Sequence, residues 1–334
     1  MSENNVLLEI KDLRTYFHLD EGVLKAVDGV SLTIQRNQVL GIVGESGCGK
    51  SITARSILRL IPPPGKVQGE ILFHQNGSSI DLAKLPPHGD QIRSIRGRNI
   101  AMIFQEPMSA FSPVHTIGDQ IMEAVLVHEQ VDKVEARRRA IDLLRLVGIP
   151  LPERRIDAYP HQMSGGMLQR AMIAMALALR PQILIADEPT TALDVTIQAQ
   201  ILRLMKNLQA EIGMSIIFIT HDLGVIANMA DEVAVMYLGR VVEFGTVRQI
   251  FRNPQHPYTR ALMQSIPMIG RTRGEKLASI QGTVPVPIDP PRQCGFADRC
   301  PEFIAGRCDA DVPPLIETEP GHQVRCVLYE SERV

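Results

Sequence analysis

The sequence predicts an α/β fold with a mainly parallel sheet, and two observations support this prediction. Short apolar runs alternate with longer amphipathic segments, a pattern typical of strands joined by helices. The chain also opens with two β-patterned stretches, residues 7–17 and 23–34, which the turn-forming Asp20-Glu21-Gly22 separates. We therefore expect an antiparallel β subdomain at the start of the chain and a parallel core after it.

Composition and charge narrow the class of protein. The chain has 334 residues, 45% of them hydrophobic, which is enough for about two domains with buried cores. Its formal net charge of -2 lacks the positive excess that is typical of proteins that bind nucleic acid. Its plainest apolar stretch, 171–179, is far shorter than the ~20 residues of a membrane span, and its start lacks the features of a secretion signal. We expect a cytoplasmic protein that does not bind nucleic acid.

The first chemical motif is Gly44-Glu45-Ser46-Gly47-Cys48-Gly49-Lys50-Ser51, which satisfies the phosphate-loop pattern. An apolar run at 39–43 predicts a strand before it, and 52–60 predicts a helix after it. In that setting backbone N–H groups and the helix dipole face a phosphate, Lys50 reaches the β and γ oxygens, and Ser51 ligates Mg²⁺. Ile52 continues the same site into the helix. The motif predicts a nucleoside triphosphate site.

The middle of the chain predicts an inserted helical subdomain at about 112–181. Strand patterns at 69–74 and 100–104 precede it, and helical patterns at 117–128, 133–147 and 165–179 fill it. In the second of these helices the residues of one apolar face recur at helical spacing: Ala136, Ala140, Ile141, Leu144 and Val147. The basic run Arg137-Arg138-Arg139 lies between them, and we expect it to be a solvated face.

The second chemical motif is an apolar strand at 183–186 that ends in two carboxylates. After a phosphate loop, Asp187 is expected to reach the Mg²⁺ shell and Glu188 to polarise the attacking water; the alternative is a plain acidic turn. A helix pattern at 195–212 and a strand pattern at 215–220 follow, and the strand delivers His221, for which catalytic and structural roles are equally open. Tyr16 or Phe17 could stack on a base or could simply pack.

The run Ser164-Gly165-Gly166-Met167-Leu168-Gln169, upstream of the acidic strand, resembles the signature of ATP-binding cassette (ABC) ATPases. Met163 departs from the Leu that the family usually has there. The resemblance implies ATP as the nucleotide and Mg²⁺ held by Ser51, Gln105 and Asp187. It also implies that Gln105 is the Q-loop glutamine, Asp187 the Walker B aspartate and Glu188 the catalytic glutamate. Asp194 would be the D-loop aspartate and His221 the switch histidine.

The signature further implies a dimer. In the family, two cassettes sandwich two nucleotides, so the signature of one subunit contacts the ATP of the other. The residues that the resemblance assigns to that contact are Ser164, Gly165, Gly166 and Gln169. We expect a second, related cassette as the partner, with a homodimer as the alternative.

A later stretch, residues 253–262 with the sequence Asn-Pro-Gln-His-Pro-Tyr-Thr-Arg-Ala-Leu, resembles the C-terminal motif of oligopeptide and dipeptide import ATPases. This resemblance implies a peripheral subunit on the cytoplasmic face of the cytoplasmic membrane. It would hydrolyse ATP to power peptide import, with two permease subunits and an extracytoplasmic binding protein. Nickel, opine or oligosaccharide remain alternative cargoes.

Three rival functions are disfavoured. A non-transport ABC ATPase should show coiled coils, zinc insertions or two cassettes, and a phosphate-loop GTPase should show Asn-Lys-x-Asp; the sequence has none of these. A regulatory module with a vestigial ATPase would not be expected to keep Glu188, His221 and an intact signature.

Four of the five cysteines lie near the end of the chain, at Cys294, Cys300, Cys308 and Cys326. Disulfides are rare in the cytoplasm, and the paired knuckles of many zinc sites are missing. Widely spaced thiolates in a proline-rich segment suit an iron–sulfur cluster. The tail also resembles that of peptide-import ATPases that carry a [4Fe-4S] cluster. We expect that cluster, with Zn²⁺ as the alternative, in an extension over 266–334 that follows an ATPase domain over 1–265.

Overall fold

The computed structural model describes residues 5–75, 77–191, 193–265, 280 and 282–332. In chain order, its strands are β1 (Val6–Leu19), β2 (Gly22–Gln35), β3 (Val39–Val43), β4 (Gly65–Gln75), β5 (Ser78–Asp81), β6 (Ile100–Ile103), β7 (Ile183–Asp187), β8 (Ser215–Thr220), β9 (Glu232–Tyr237), β10 (Arg240–Thr246), β11 (Ile316–Glu319) and β12 (His322–Val324).

The α-helices, in chain order, are α1 (Lys50–Ile57), α2 (Asp90–Ile95), α3 (Pro107–Ala110), α4 (Ile117–Leu126), α5 (Lys133–Leu146), α6 (Pro152–Arg155), α7 (Gly165–Ala176), α8 (Val195–Ile212), α9 (Leu223–Met229), α10 (Val247–Arg252) and α11 (Pro257–Gln264). No helix in the described part of the chain is both long enough and apolar enough to span a bilayer.

The chain divides into two compact units. The first, here called the phosphate-loop unit, comprises Met1–Ile34, Val39–Lys84 and Thr220–Val334. The second, here called the helical unit, comprises Gln35–Gln38 and Leu85–Ile219. The cysteine-bearing tail therefore shares a unit with the phosphate loop.

The phosphate-loop unit opens with an antiparallel sheet in the order β2–β1–β4–β5. Strand β1 pairs with β4 from Leu8 opposite Phe73 to Phe17 opposite Gly65, with a register shift between Lys11 and Arg14. The alternating burial of β1 and β2 is the pattern expected of strands with one face in a core. The predicted N-terminal hairpin is confirmed, and both strands run beyond the predicted limits.

The same unit carries the strand that feeds the phosphate loop. All five residues of β3 are buried, and β3 pairs in parallel with β9, Leu40 opposite Glu232. Strands β10, β12 and β11 continue outward in antiparallel pairs. The strand before the loop is confirmed, whereas β11 and β12 were not predicted, because short half-polar strands in a proline-rich tail give little periodic signal.

The helical unit contains the parallel strands β6, β7 and β8, with Ile183 opposite both Ile100 and Ser215. Helices α4, α5 and α7 confirm the three predicted helices, and each ends one to three residues earlier than predicted. On α5 the predicted apolar face is buried at Ala136, Ala140 and Leu144, while Ile141 is half-buried. This packing explains the helix despite its many charges.

The basic run on α5 is a network of ion pairs, as the solvated-face prediction requires. Arg137 makes two hydrogen bonds with Asp157, at 2.8 and 2.7 Å. Arg138 and Arg139 both bind the carboxylate of Glu135. These three arginines are therefore matched by acids on the same surface.

Candidate nucleotide site

The phosphate loop needs glycine at two of its positions because of the space around them. Gly44 has φ 154°, and a Cβ there would lie 2.3 Å from the carbonyl oxygen of Met236. Gly49 has φ 101°, and a Cβ there would lie 2.3 Å from the carbonyl oxygen of Ala26. Any side chain would push the backbone out of its tight curve.

Lys50 is buried, with 4% of its surface exposed, at the start of α1. Its Nζ donates to the carbonyl oxygens of Gly44 at 2.8 Å and Glu45 at 3.0 Å. The ammonium therefore lies inside the curve of the loop. Ser51 and Ile52 follow in the first turn of the helix and are half-buried.

The N-terminus of α1 has Gly49 as its N-cap and no side-chain cap. The tip of the loop, Ser46 and Gly47, is exposed, whereas Cys48 is fully buried. An exposed glycine-rich tip, an uncapped helix N-terminus and a buried ammonium together suit a polyphosphate.

Glu45 is held through all three of its polar groups. Its N–H donates to the hydroxyl of Tyr258 at 2.8 Å, and its carbonyl oxygen accepts from Lys50. Its carboxylate accepts from both terminal nitrogens of Arg299, at 2.8 and 3.0 Å. The sequence did not predict the support from Tyr258 and Arg299, although the C-terminal motif that contains Tyr258 was a signal that this segment matters.

The two aromatic candidates for base stacking have different surroundings. The hydroxyl of Tyr16 donates to Asp28, which also forms an ion pair with Arg240. Burial, with the hydrogen bond to Asp28, raises the pKa of Tyr16 to about 12. The ring of Phe17 instead covers Gly65, where a Cβ would lie 2.7 Å from the ring. Phe17 thus packs within the sheet, and Tyr16 is fixed by a polar contact.

In the helical unit, the predicted acidic pair lies where β7 ends. Asp187 is the last residue of β7 and is 1% exposed, and Glu188 follows with φ 48°. A non-glycine residue in this left-handed region costs about 1 kcal/mol or more, and such strain concentrates at functional sites. The N–H of Glu188 donates to the carbonyl oxygen of Ile219 at 2.9 Å, which fixes the turn.

The carboxylate of Glu188 is oriented by two side chains. Its Oε2 accepts from Nε2 of Gln105 at 3.3 Å and from the hydroxyl of Thr191 at 2.9 Å. The structure thus brings together Gln105 and Glu188, which are 83 positions apart in sequence. Thr191 was missed, and its position three residues after Glu188 was the only sequence signal for it.

The signature run forms the exposed N-terminus of α7. Ser164 is the N-cap and accepts a hydrogen bond from the N–H of Met167 at 3.4 Å. Ser164 and Gly165 are exposed, and a Cβ on Gly165 would meet nothing within 4 Å. Gln169, by contrast, is 2% exposed, and its Nε2 has no hydrogen-bond partner in the described part of the chain. The first two signature residues therefore face outward, Gly166 is half-buried beside Ile197, and Gln169 faces inward.

The remaining two predicted residues lie at helix starts. Asp194 caps α8 by accepting the N–H of Ile197 at 2.9 Å. His221 is exposed in the phosphate-loop unit, directly after β8 and next to Asp222, which caps α9. These positions leave the roles assigned to Asp194 and His221 as predictions.

The four late cysteines converge in space. The N–H of Cys294 donates to the carbonyl oxygen of Cys308 at 2.9 Å, and Cys308 packs with Ala297 and Val327. Burial raises the pKa of Cys326 to about 12, with further contributions from the other three thiols. None of the five cysteines forms a disulfide. Across residues 5–75, 77–191, 193–265, 280 and 282–332, no three or more His, Cys, Asp or Glu side chains are arranged as a metal site.

Comparison with known proteins identifies the family. The family model of ABC transporters matches residues 27–191, and that of the oligopeptide/dipeptide transporter C-terminal region matches residues 242–308. A probable peptide ABC transporter ATP-binding protein of Sinorhizobium fredii is 52% identical over 96% of this chain and 95% of that protein. The oligopeptide transport ATP-binding protein OppD of Bacillus subtilis is 50% identical over 98% of this chain and 90% of that protein.

Solved structures give the same result for the fold. A bacterial ABC transporter cassette, solved as a dimer, matches with a TM-score of 0.64 and 29% identity, over 72% of this chain and 99% of that chain. A dimeric cassette in a post-hydrolysis state with ADP and Pi matches with a TM-score of 0.63 and 28% identity, over 72% of this chain and 99% of that chain.

The fold and the site define a phosphate-loop ATPase of the α/β class. The chain belongs to the ATP-binding proteins of the ABC transporter family, and it carries the C-terminal region of the oligopeptide/dipeptide branch. It is an ATPase coupled to transport.

Proposed function

We propose that this chain binds ATP with Mg²⁺ and hydrolyses it to energise the import of di- or oligopeptides. The observation that carries the proposal is the buried Lys50 inside a glycine-rich loop at the start of a helix, in a chain whose relatives are described as peptide transport ATP-binding proteins. Nickel, opine or oligosaccharide is the alternative cargo. An ABC ATPase without a transport role is disfavoured, because the C-terminal region of the transporter branch is present.

The residues of the phosphate-loop unit are assigned to binding. Lys50 supplies positive charge to the β and γ phosphates, while Ser51 and the first N–H groups of α1 supply polar contacts. Gly44 and Gly49 let the backbone approach the phosphates closely. Tyr16 is the better placed of the two aromatic candidates to meet the base, because Phe17 covers Gly65.

The residues of the helical unit are assigned to hydrolysis. Glu188, oriented by Gln105 and Thr191, accepts the proton of the attacking water or aligns that water. Asp187 and Gln105, with Ser51, supply the oxygen donors that Mg²⁺ prefers. When bound, Mg²⁺ would neutralise the charge that builds on the phosphate oxygens. His221, which belongs to the phosphate-loop unit, is assigned to the γ-phosphate.

The signature is assigned to a second subunit's nucleotide. Ser164 and Gly165 lie exposed, and Gly166 half-buried, at the N-terminus of a 12-residue helix, where an anion is favoured. The matched solved cassettes are described as dimers. The partner is a related cassette, or a second copy of this chain. Gln169 is less suited to that contact, because its side chain is buried.

The other partners follow from the function. An import ATPase needs two membrane permease subunits and an extracytoplasmic binding protein, and this chain would act as a peripheral subunit at the cytoplasmic face of the membrane. We also propose that residues 1–265 are the ATPase domain, that 112–181 are its helical subdomain, and that 266–334 are an extension. Of that extension, residues 266–279, 281 and 333–334 lie outside the described residues.

The test is reconstitution of this chain with its permeases in vesicles, with the binding protein outside and Mg²⁺-ATP supplied to the ATPase side. ATP-dependent accumulation of a labelled peptide, and stimulation of phosphate release by the peptide-loaded binding protein, are the expected results. Hydrolysis without transport of any peptide would overturn the peptide cargo. A thermal-shift panel of peptides, nickel, opines and oligosaccharides on the binding protein would then name the cargo class.

We further propose that Cys294, Cys300, Cys308 and Cys326 hold a [4Fe-4S] cluster, with Zn²⁺ as the alternative. Support comes from the convergence of the four cysteines and from the lack of disulfides. Thiolates are favourable ligands for both metals. The bound group would cross-link a tail whose strands β11 and β12 are only four and three residues long.

Metal analysis of anaerobically purified protein tests this assignment. A brown protein with about four irons per chain supports the cluster, and colourless protein with about one zinc per chain supports the alternative. Protein with neither metal, purified under conditions that preserve labile clusters, would contradict both.

A further inference from the structure

The tail that carries the cysteines reaches the phosphate loop through one arginine. Arg299 and Glu45 form a two-pronged ion pair within the phosphate-loop unit, at 2.8 and 3.0 Å across 254 positions of sequence. The side chain of Arg299 is 7% exposed, whereas Glu45 is 28% exposed. A paired, largely buried guanidinium holds its partner far more firmly than an exposed surface pair does.

Arg299 is itself fixed by the fold around it. Its guanidinium also donates to the hydroxyl of Tyr237 at 3.2 Å and to the carbonyl oxygen of Gly282 at 3.2 Å. Tyr237, Tyr258 and Phe296 pack together, with ring centroids 4.7 to 5.3 Å apart. All three rings are almost completely buried, at 1% exposure or less. The cluster presents both Arg299 and the Tyr258 hydroxyl to the same loop residue.

Glu45 links these contacts to Lys50, the residue that is proposed to contact the phosphates. Its carbonyl oxygen accepts from Nζ of Lys50, and its N–H donates to Tyr258. If Arg299 were removed, a carboxylate would remain without its counter-charge beside a site that must accept a polyphosphate, and like charges there repel. Arg299 therefore both shapes the loop and cancels an unfavourable charge.

The turn that carries Arg299 is hydrogen-bonded to two of the four cysteine residues. Residues Ala297–Arg299 form a single 3₁₀ turn, and Arg299 directly precedes Cys300. At one end of the turn the N–H of Ala297 donates to the carbonyl oxygen of Cys294 at 3.0 Å. At the other end the N–H of Cys300 donates to the carbonyl oxygen of Ala297 at 3.2 Å. A change in how the cysteines are held would therefore act directly on the backbone of this turn.

We propose that Arg299, acting through Glu45, is a positioning residue of the nucleotide site and couples the state of the cysteine segment to the affinity for ATP. This inference rests on the proposed nucleotide site. It assigns the tail a role in nucleotide binding, whichever group the four cysteines hold.

The test measures the dissociation constant of ATP for full-length variants by titration calorimetry, without relying on turnover. Arg299→Gln should weaken ATP binding by about tenfold, since a charge-assisted pair contributes on that order. Arg299→Lys should recover part of the loss, because it restores the charge without the two-pronged geometry. Arg292→Gln is the matched control, because Arg292 is 83% exposed and pairs with Asp311 in the same tail, away from Glu45.

A double-mutant cycle tests the route through Glu45. Glu45→Gln with Arg299→Gln should cost less than the sum of the two single changes, because the repelling carboxylate is then absent. Additive costs would overturn the route. Tyr258→Phe keeps the ring packing and removes the acceptor of the Glu45 N–H, so it should also weaken binding. It serves as the second probe if Arg299→Gln fails to fold by circular dichroism.

Cys326→Ser tests the coupling, because Cys326 lies 27 positions from Arg299 and outside the turn. It should weaken ATP binding in the natural chain and have little further effect beside Arg299→Gln. An equal effect in both backgrounds, or none in the natural chain, would overturn the coupling. Failure of the natural chain to bind ATP would contradict the proposed nucleotide site. Normal binding by the natural chain, Arg299→Gln and Tyr258→Phe would overturn this inference alone.

Discussion

The phosphate-loop unit and the helical unit differ in how the helix ends that are predicted to bind anions are supported. At the start of α1, Lys50 is 4% exposed and bonds to two carbonyl groups of its own loop. At the start of α7, Ser164 and Gly165 are exposed, and open space surrounds Gly165. The first end is thus built by contacts within one chain, whereas the second is exposed, and we propose that it meets an anion of another subunit.

The two units also differ in their predicted chemistry. The groups that are predicted to bind the nucleotide lie in the phosphate-loop unit, where contacts from Tyr258 and Arg299 reinforce the loop. The predicted base, Glu188, lies in the helical unit. Its own backbone is strained, and its carboxylate has polar partners that can orient it. Changes in the two units should therefore separate hydrolysis from binding.

The largest expected effect is on hydrolysis, from Glu188→Gln. Glutamine keeps an acceptor for Thr191 but cannot take a proton, so phosphate release should fall by about 100-fold or more while ATP affinity is kept. Glu211→Gln, an exposed change at the end of α8, is the matched control. Near-normal turnover of Glu188→Gln would show that Glu188 is not the base.

Lys50→Ala should have the next largest effect, this time on binding. A hydrogen bond to a charged group is worth about 1.5–3 kcal/mol, which corresponds to about 10- to 100-fold in ATP affinity. Lys84→Ala, at a lysine whose side chain is 74% exposed, is the control. Equal ATP affinity of Lys50→Ala and the natural chain would refute the role of Lys50.

How far the sequence predicts this site depends on how local each signal is. The phosphate loop, the acidic strand and the signature are contiguous motifs, and the structure places each at the predicted end of a strand or helix. The pairing of Glu45 with Arg299 joins residues 254 positions apart, and neither periodicity nor spacing encodes such a contact. The resemblance assigned Gln105 and Glu188 to the same site, but the hydrogen bond between them was seen only in the structure.

In the tail, contacts between residues that are distant in sequence also limited how much of the fold could be predicted. Its prolines and short polar stretches predicted no regular structure, yet β12 pairs with β10, with Glu243 opposite Val324. Buried Glu243 explains part of this, because it accepts the N–H groups of Gln255 and His256 at 2.8 Å and bonds to His322 at 2.8 Å. A single buried carboxylate thus joins the C-terminal motif to β12, which no pattern of apolar residues could reveal.

The last expected effect is on folding stability rather than on activity, and it comes from His256, which accepts a hydrogen bond from Tyr258 in the segment that supports the phosphate loop. It is 2% exposed, its Nδ1 accepts the N–H of Tyr258 at 3.0 Å, and burial lowers its pKa to about 4. Nearby Glu243 acts against this shift, and Arg260 adds to it. Because the unfolded chain then binds more protons than the folded chain, stability should fall as the pH drops from about 6.5 to about 4.

Denaturant unfolding at several pH values checks this expectation. The full contribution is on the order of 3 kcal/mol, given the difference between the two pKa values. His256→Asn, which keeps an acceptor for the Tyr258 N–H, should flatten the dependence, whereas the exposed His161→Asn should leave it unchanged. An equally steep pH dependence in His256→Asn would assign the effect to other groups.

The central claim is that the exposed signature residues at the N-terminus of α7 contribute to hydrolysis only when they contact ATP that is bound to a second cassette. The direct measurement is the ATPase rate per chain, with the mass in solution determined by light scattering, for this chain alone and mixed with a related cassette. We predict slow hydrolysis by the monomer and a rise in rate as ATP-dependent dimers form, with Ser164→Ala reducing the rate but not ATP binding to the phosphate loop. A stably monomeric chain with full activity at every concentration would contradict the claim.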